Sequence, residues 1–182
     1  MATSNIAITR TFHWVMAFVI IAITLVGLYM ANTETYALYH WHKSFGLIAL
    51  LLIIARLFWR KKHVWESASK GTSQAKLVNF VHLFLLALLM LMPLSGMVYS
   101  GFAGYGFSLF EWHIIPKNLN SEQQVIPYNE LLGSLGKTLH GLLGYLFAGV
   151  VVLHVGAALK HHFINKDQTL NRMLNKKPSE NT

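Results

Sequence analysis

Fourteen residues separate His140 from His154, and no other spacing in the chain says as much about chemistry. On a helix turning roughly 100° per residue, fourteen steps end within about 40° of four full turns, so both imidazoles face the same way. At ~1.5 Å of rise per residue they stand roughly 21 Å apart along the axis. Neutral imidazole is a metal ligand, so one helix face offers two ligand levels, provided other helices bring partners to the same depths. The chain has no cysteine. That excludes disulfides, thiolate metal sites, iron–sulfur clusters and covalent c-type haem attachment. Ten histidines remain as nitrogen ligands.

The elements that must position these residues are long and apolar. Of 182 residues, 54% are hydrophobic and only 12% charged, against roughly 25% charged in soluble domains. Four segments reach the ~20 apolar residues that span a bilayer core: about Thr11 to Ala31, Leu38 to Trp59, Leu77 to Tyr99 and Leu139 to Lys160. The first follows Arg10, as a secretory signal would, but its apolar run is too long for one and no small-residue cleavage site follows. The fold expected is all-α, an integral membrane four-helix bundle over 1–166 with a polar tail over 167–182 that frays.

The formal charge of +8 is placed by topology. With the N-terminus inside, twelve of the fifteen basic residues fall on that side, and only Lys43, Lys117 and Lys137 lie outside. The positive-inside rule then makes both termini cytoplasmic. Basicity here is not a nucleic-acid footprint. The inner loop from about Arg60 to Lys76 is basic. The outer stretch from about Ser100 to Gly136 is long enough to expect a function or a packing partner, and reads as a cap on the outer surface with Trp112 in the interfacial belt.

In this topology His13, His82 and His154 lie at the inner level, and His42 and His140 at the outer level. Ionisable residues inside membrane helices mark functional sites. A lone membrane histidine can be an interhelical hydrogen-bonder. Four at two matched depths, two of them on one helix face, instead point to two bis-histidine sites between helix four and its neighbours. Haem iron takes axial histidine and its flat macrocycle fits between facing helices. Zinc or copper fits less well, because no carboxylate completes the shell. Gly46, Gly141, Gly144 and Gly149 are small enough to admit a macrocycle. At the inner level His82 could stand in for His13.

These residues resemble the bacterial cytochrome b561 family. The resemblance rests on His13-Trp14 opening helix one, His42 followed by Gly46, His82 eleven residues before Pro93, and His140 to His154 trailed by Lys160-His161-His162-Phe163. It runs from about Arg10 to Met173, and a similar ligand arrangement occurs in the cytochrome b subunits of formate dehydrogenases and nickel–iron hydrogenases. The resemblance implies two non-covalent b haems in a bacterial inner membrane, with His13 paired to His154, His42 paired to His140, and His82 a non-ligand. It also implies ubiquinone as partner and an activity that oxidises superoxide and reduces ubiquinone.

Further residues take roles within that frame. Arg56 would hold haem propionates or border a quinone pocket; its alternative is snorkelling to headgroups. His161 lies about two turns beyond His154 on the same face and would exchange protons with quinone; an interfacial histidine is the alternative, while His162 points elsewhere. Lys43 and Lys137, beside the outer ligands, would form a positive patch for superoxide, or are ordinary surface lysines. Four outer glutamates against three lysines leave that face slightly acidic, which does not steer an anion. Three functions are therefore expected to compete. The first is a di-haem superoxide:ubiquinone oxidoreductase, the second a cytochrome b subunit fed by a dehydrogenase or hydrogenase, and the third a non-redox scaffold or transporter with structural histidines. Lipid is a partner in all three, and a homodimer is compatible with each.

Overall fold

The computed structural model describes residues 3–63, 71 and 75–175. Most of the basic loop between helices two and three, with Lys70, and the tail beyond Asn175, with Lys176 and Lys177, lie outside the described residues. Four helices are long and apolar enough to cross a membrane: α1 (Thr3–Thr33), α2 (Tyr39–Lys62), α3 (Ala75–Phe102) and α4 (Glu130–Phe163). In hydrocarbon every backbone group must be satisfied within its own segment, and a helix does that. α1 packs on α2, α2 on α3, α3 on α4 and α4 on α1. A small core of Met16, Met30, Ala49, Leu50, Ile53, Leu88 and Phe147 is buried between them. Phe18, Leu25, Phe58, Leu83 and Leu153 stay exposed on the outer faces, as a lipid-facing surface requires.

α4 begins nine residues before the apolar run that marks it in the sequence. Asn129 caps it, its side chain accepting from the Leu132 N–H at 3.0 Å. Its first turns lie close on the end of α3, where a Cβ on Gly136 would come within 2.5 Å of the Tyr99 nitrogen. Small residues at such a crossing let two membrane helices approach closely. α3 continues through Pro93.

The two ends of the bundle differ. At the loop end, between α3 and α4, the expected cap contains an antiparallel hairpin of β1 (Phe107–Leu109) and β2 (Trp112–Ile115), with Trp112 exposed. Gly104 and Gly106 turn the chain at φ +84° and +59°, a conformation that favours glycine. The cap is fastened to α2 and α3. Lys43 Nζ donates to the Gly106 carbonyl at 3.0 Å, and the buried Ser44 hydroxyl donates to the Ser108 carbonyl at 3.2 Å. That hydroxyl also accepts from the Phe110 N–H at 2.8 Å, and Ser100 Oγ donates to the Gly106 carbonyl.

At the terminal end, part of the tail expected to fray forms a short helix, α5 (Thr169–Leu174), which packs on α4 and is hydrogen-bonded from α1. Arg10 Nε donates to the Arg172 carbonyl at 2.6 Å and its Nη1 donates to Asn175 Oδ1, while Trp14 Nε1 donates to the Met173 carbonyl at 3.1 Å.

Candidate haem-binding sites

Helix register brings histidines together at both ends. At the loop end, His42 in the first turns of α2 meets His140 of α4, with ring centres 6.1 Å apart and planes at 81°. Two imidazoles sharing one iron through bonds of about 2 Å have ring centres separated by roughly 6 Å. The two imidazoles line an apolar cavity whose other walls include Ile20, Gly27 and Ala31 of α1, Gly46 and Ala49 of α2, Leu89, Met92 and Pro93 of α3, and Gly141 and Gly144 of α4. Gly46 and Gly141 have no non-local atom within 4 Å of where a Cβ would sit, so they leave open a cradle that side chains would fill. The donor set, the ring spacing and the apolar cavity all fit a b-type haem.

The imidazoles rest on two glycines that the sequence did not single out. A Cβ on Gly27 would stand 2.9 Å from His42 Cε1, and one on Gly96 would stand 3.0 Å from His140 Cε1. Glycine is common in membrane helices, and only packing reveals which ones face a ligand.

At the terminal end three histidines gather. His154 and His82 have ring centres 5.6 Å apart at 75°, and His13 is within electrostatic range of His154, His82 and Arg56. Among the described residues no three His, Cys, Asp or Glu side chains converge on a point that could hold a bare metal ion. The arrangement suits a haem with two axial imidazoles and a third imidazole beside them. Arg56 stands at the same level and faces Arg60.

Nearby, the His161 and Asp167 side chains meet at 2.6 Å between Nδ1 and Oδ2. A carboxylate only accepts, so Nδ1 carries the proton and Nε2 is left for other partners. Burial pushes the Asp167 carboxyl up. Hydrogen bonds from the Thr169 backbone and side chain, and from His161, outweigh that and hold it below the usual aspartate value. Asp167 was not foreseen, since the contact depends on the turn after α4. His162 is half-buried, with its Nδ1 unpartnered among the described residues.

The two lysines differ. Lys137 is exposed on α4. Lys43 is half-buried, its ammonium engaged by the Gly106 carbonyl and 4.8 Å from the centre of the Tyr39 ring, with Lys117 as its cationic neighbour.

Residues 7–176 match the family model for prokaryotic cytochrome b561. The chain belongs to that family. It is 31% identical over 182 residues to cytochrome b561 homolog 2 of Escherichia coli (strain K12), covering 95% of this chain and 92% of that protein. With cytochrome b561 homolog 1 of the same organism it shares 28% identity over 171 residues, covering 89% and 92%. As a member of the cytochrome b561 family the chain is a multi-pass bacterial membrane cytochrome that binds b-type haem and transfers electrons.

Proposed function

We propose that this cytochrome carries two b haems and is a superoxide:ubiquinone oxidoreductase of the bacterial inner membrane. The observation that carries the reading is the pair of histidine levels at opposite ends of α4, one of them lining an apolar cavity between the helices. His42 and His140 hold one haem, and His13 and His154 the other, with His82 beside the second without ligating it. Haem bound at the two levels supplies one-electron carriage along the bundle. The charge bias puts the terminal end in the cytoplasm and the loop end outside.

The overall chemistry balances. Two superoxide anions yield two dioxygen molecules and two electrons, and these with two protons convert one quinone to quinol. The chain's own side chains then have defined work. His161, whose Nδ1 is engaged by Asp167, offers Nε2 to exchange a proton with quinone at the cytoplasmic end. Arg56 places a cation where haem propionates or a quinone oxygen would lie. Lys43 and Lys137 bring positive charge to the outer level.

One observation favours a second reading, a cytochrome b subunit fed by a partner dehydrogenase or hydrogenase. Lys43 is held by cap carbonyls rather than presented freely to an anion. The test is stopped-flow reduction of the purified haem protein by superoxide, followed by reoxidation with a ubiquinone analogue. Rapid reduction followed by quinone-dependent reoxidation is expected. Reduction no faster than that of free haem would favour the partner-fed subunit.

A further inference from the structure

The two imidazoles at the loop end are held unequally. His140 Nδ1 lies 3.0 Å from the Met92 carbonyl and 3.2 Å from Ser95 Oγ. Ser95 Oγ itself donates to the Met92 carbonyl at 2.8 Å. A carbonyl only accepts, so the proton of the neutral His140 ring sits on Nδ1 and the lone pair on Nε2. With its own proton given to Met92, the Ser95 hydroxyl presents a lone pair to the same Nδ1–H. The ring is also pressed on the α3 backbone, since a Cβ on Gly96 would come within 3.0 Å of Cε1 and 3.2 Å of Nδ1. Across the site, His42 Nδ1 is turned to the Ile23 carbonyl and, among the described residues, has no hydroxyl beside it. The difference between the two rings is the Ser95 hydroxyl.

We propose that Ser95 is a positioning residue for the loop-end haem. Together with the Met92 carbonyl and Gly96, it fixes the tautomer and rotamer of His140 and sets that haem's reduction potential. α3, which supplies no ligand at this level, thereby tunes the iron. A hydrogen bond accepted from the far nitrogen of a ligating histidine orients the ring and raises its basicity. A more basic ligand favours the ferric state and lowers the potential, which is one of the protein's levers on haem. The inference rests on His140 being an axial ligand.

The experiment is a spectroelectrochemical titration of the purified haem protein carrying Ser95→Ala, Ser95→Thr or Gly96→Ala. Ser95→Ala is expected to keep its haem and to raise the midpoint of one haem component. The expected change is about threefold in the reduction equilibrium, or about 30 mV for one electron. The other component should stay in place, and Ser95→Thr, which keeps the hydroxyl, should restore the shifted one. Gly96→Ala should displace the ring and turn one component from low-spin to high-spin. Unchanged midpoints in Ser95→Ala, or equal shifts of every component, would overturn the proposal. His140→Ala is the separate control. If it retains full haem, the ligand assignment itself fails, whatever Ser95 does.

Discussion

At the terminal end three imidazoles gather where two axial positions are needed, so single substitutions there are decisive. His13→Ala and His154→Ala should each empty that level, halving haem per chain in a pyridine haemochrome assay. His82→Ala should leave both haems low-spin. If His82→Ala removes a haem and His13→Ala does not, the ligand partner of His154 is His82, its ring neighbour at 5.6 Å. At the other level Gly46→Leu is expected to fill the open cradle. The apoprotein should keep its thermal stability, because nothing non-local lies within 4 Å of the new Cβ, while haem retention falls about tenfold, as when a metal site loses its supporting shell. The spacing of His140 and His154 along one helix face was legible from helix periodicity, while the ring contact His154 makes with His82, rather than with His13, was not. Nor were the residues that support the ligands. Gly27, Gly96 and Ser95 reach the ligands only across a helix–helix contact, and no single-chain periodicity encodes which faces meet.

Among the elements, the four spanning helices were legible from apolar length, since a bilayer admits few other solutions. Three features were not. The hairpin strands have three and four residues, too short for an alternating pattern to stand out. The first turns of α4 contain Gly133 and Gly136, which read as loop until their contact with α3 explains them. α5 packs on α4 and takes hydrogen bonds from Arg10 and Trp14 of α1, contacts distant in sequence. Its docking also carries a pH signature. The Asp167 carboxyl is held below its ordinary value of 3.8, so its stabilising contribution is complete above that value and is lost as pH falls through the depressed one. The protection of residues 167–175 against hydrogen exchange, taken relative to the intrinsic rate at each pH, should therefore fall on acidification through that window. Asp167→Asn should lower that protection at neutral pH and remove its acid dependence.

For the whole molecule, even membrane crossing and the charge bias lead to one arrangement. Reporter fusions after residue 175 should read cytoplasmic, and fusions at Lys117 should read extracytoplasmic; the opposite result would reverse the proposed direction of electron flow. The class of molecule was legible because composition, the lack of cysteine and two histidine levels restrict the chemistry together. The donor was not, because a small oxidisable anion and a partner subunit ask similar things of an exposed surface.

Three consecutive residues of α2 belong to different structures: His42 faces the cavity, while Lys43 and Ser44 are tied to the hairpin. The chain separations, 63 residues from Lys43 to Gly106 and 64 from Ser44 to Ser108, impose an order on biogenesis. When α2 leaves the ribosome its cap has not been translated, and an ammonium and a hydroxyl at its head are without their eventual partners. Groups of that kind are costly in hydrocarbon, so the nascent helix keeps its head among hydrated headgroups until the hairpin is translocated. His140 is translated later still. The loop-end pocket is therefore completed only late in synthesis.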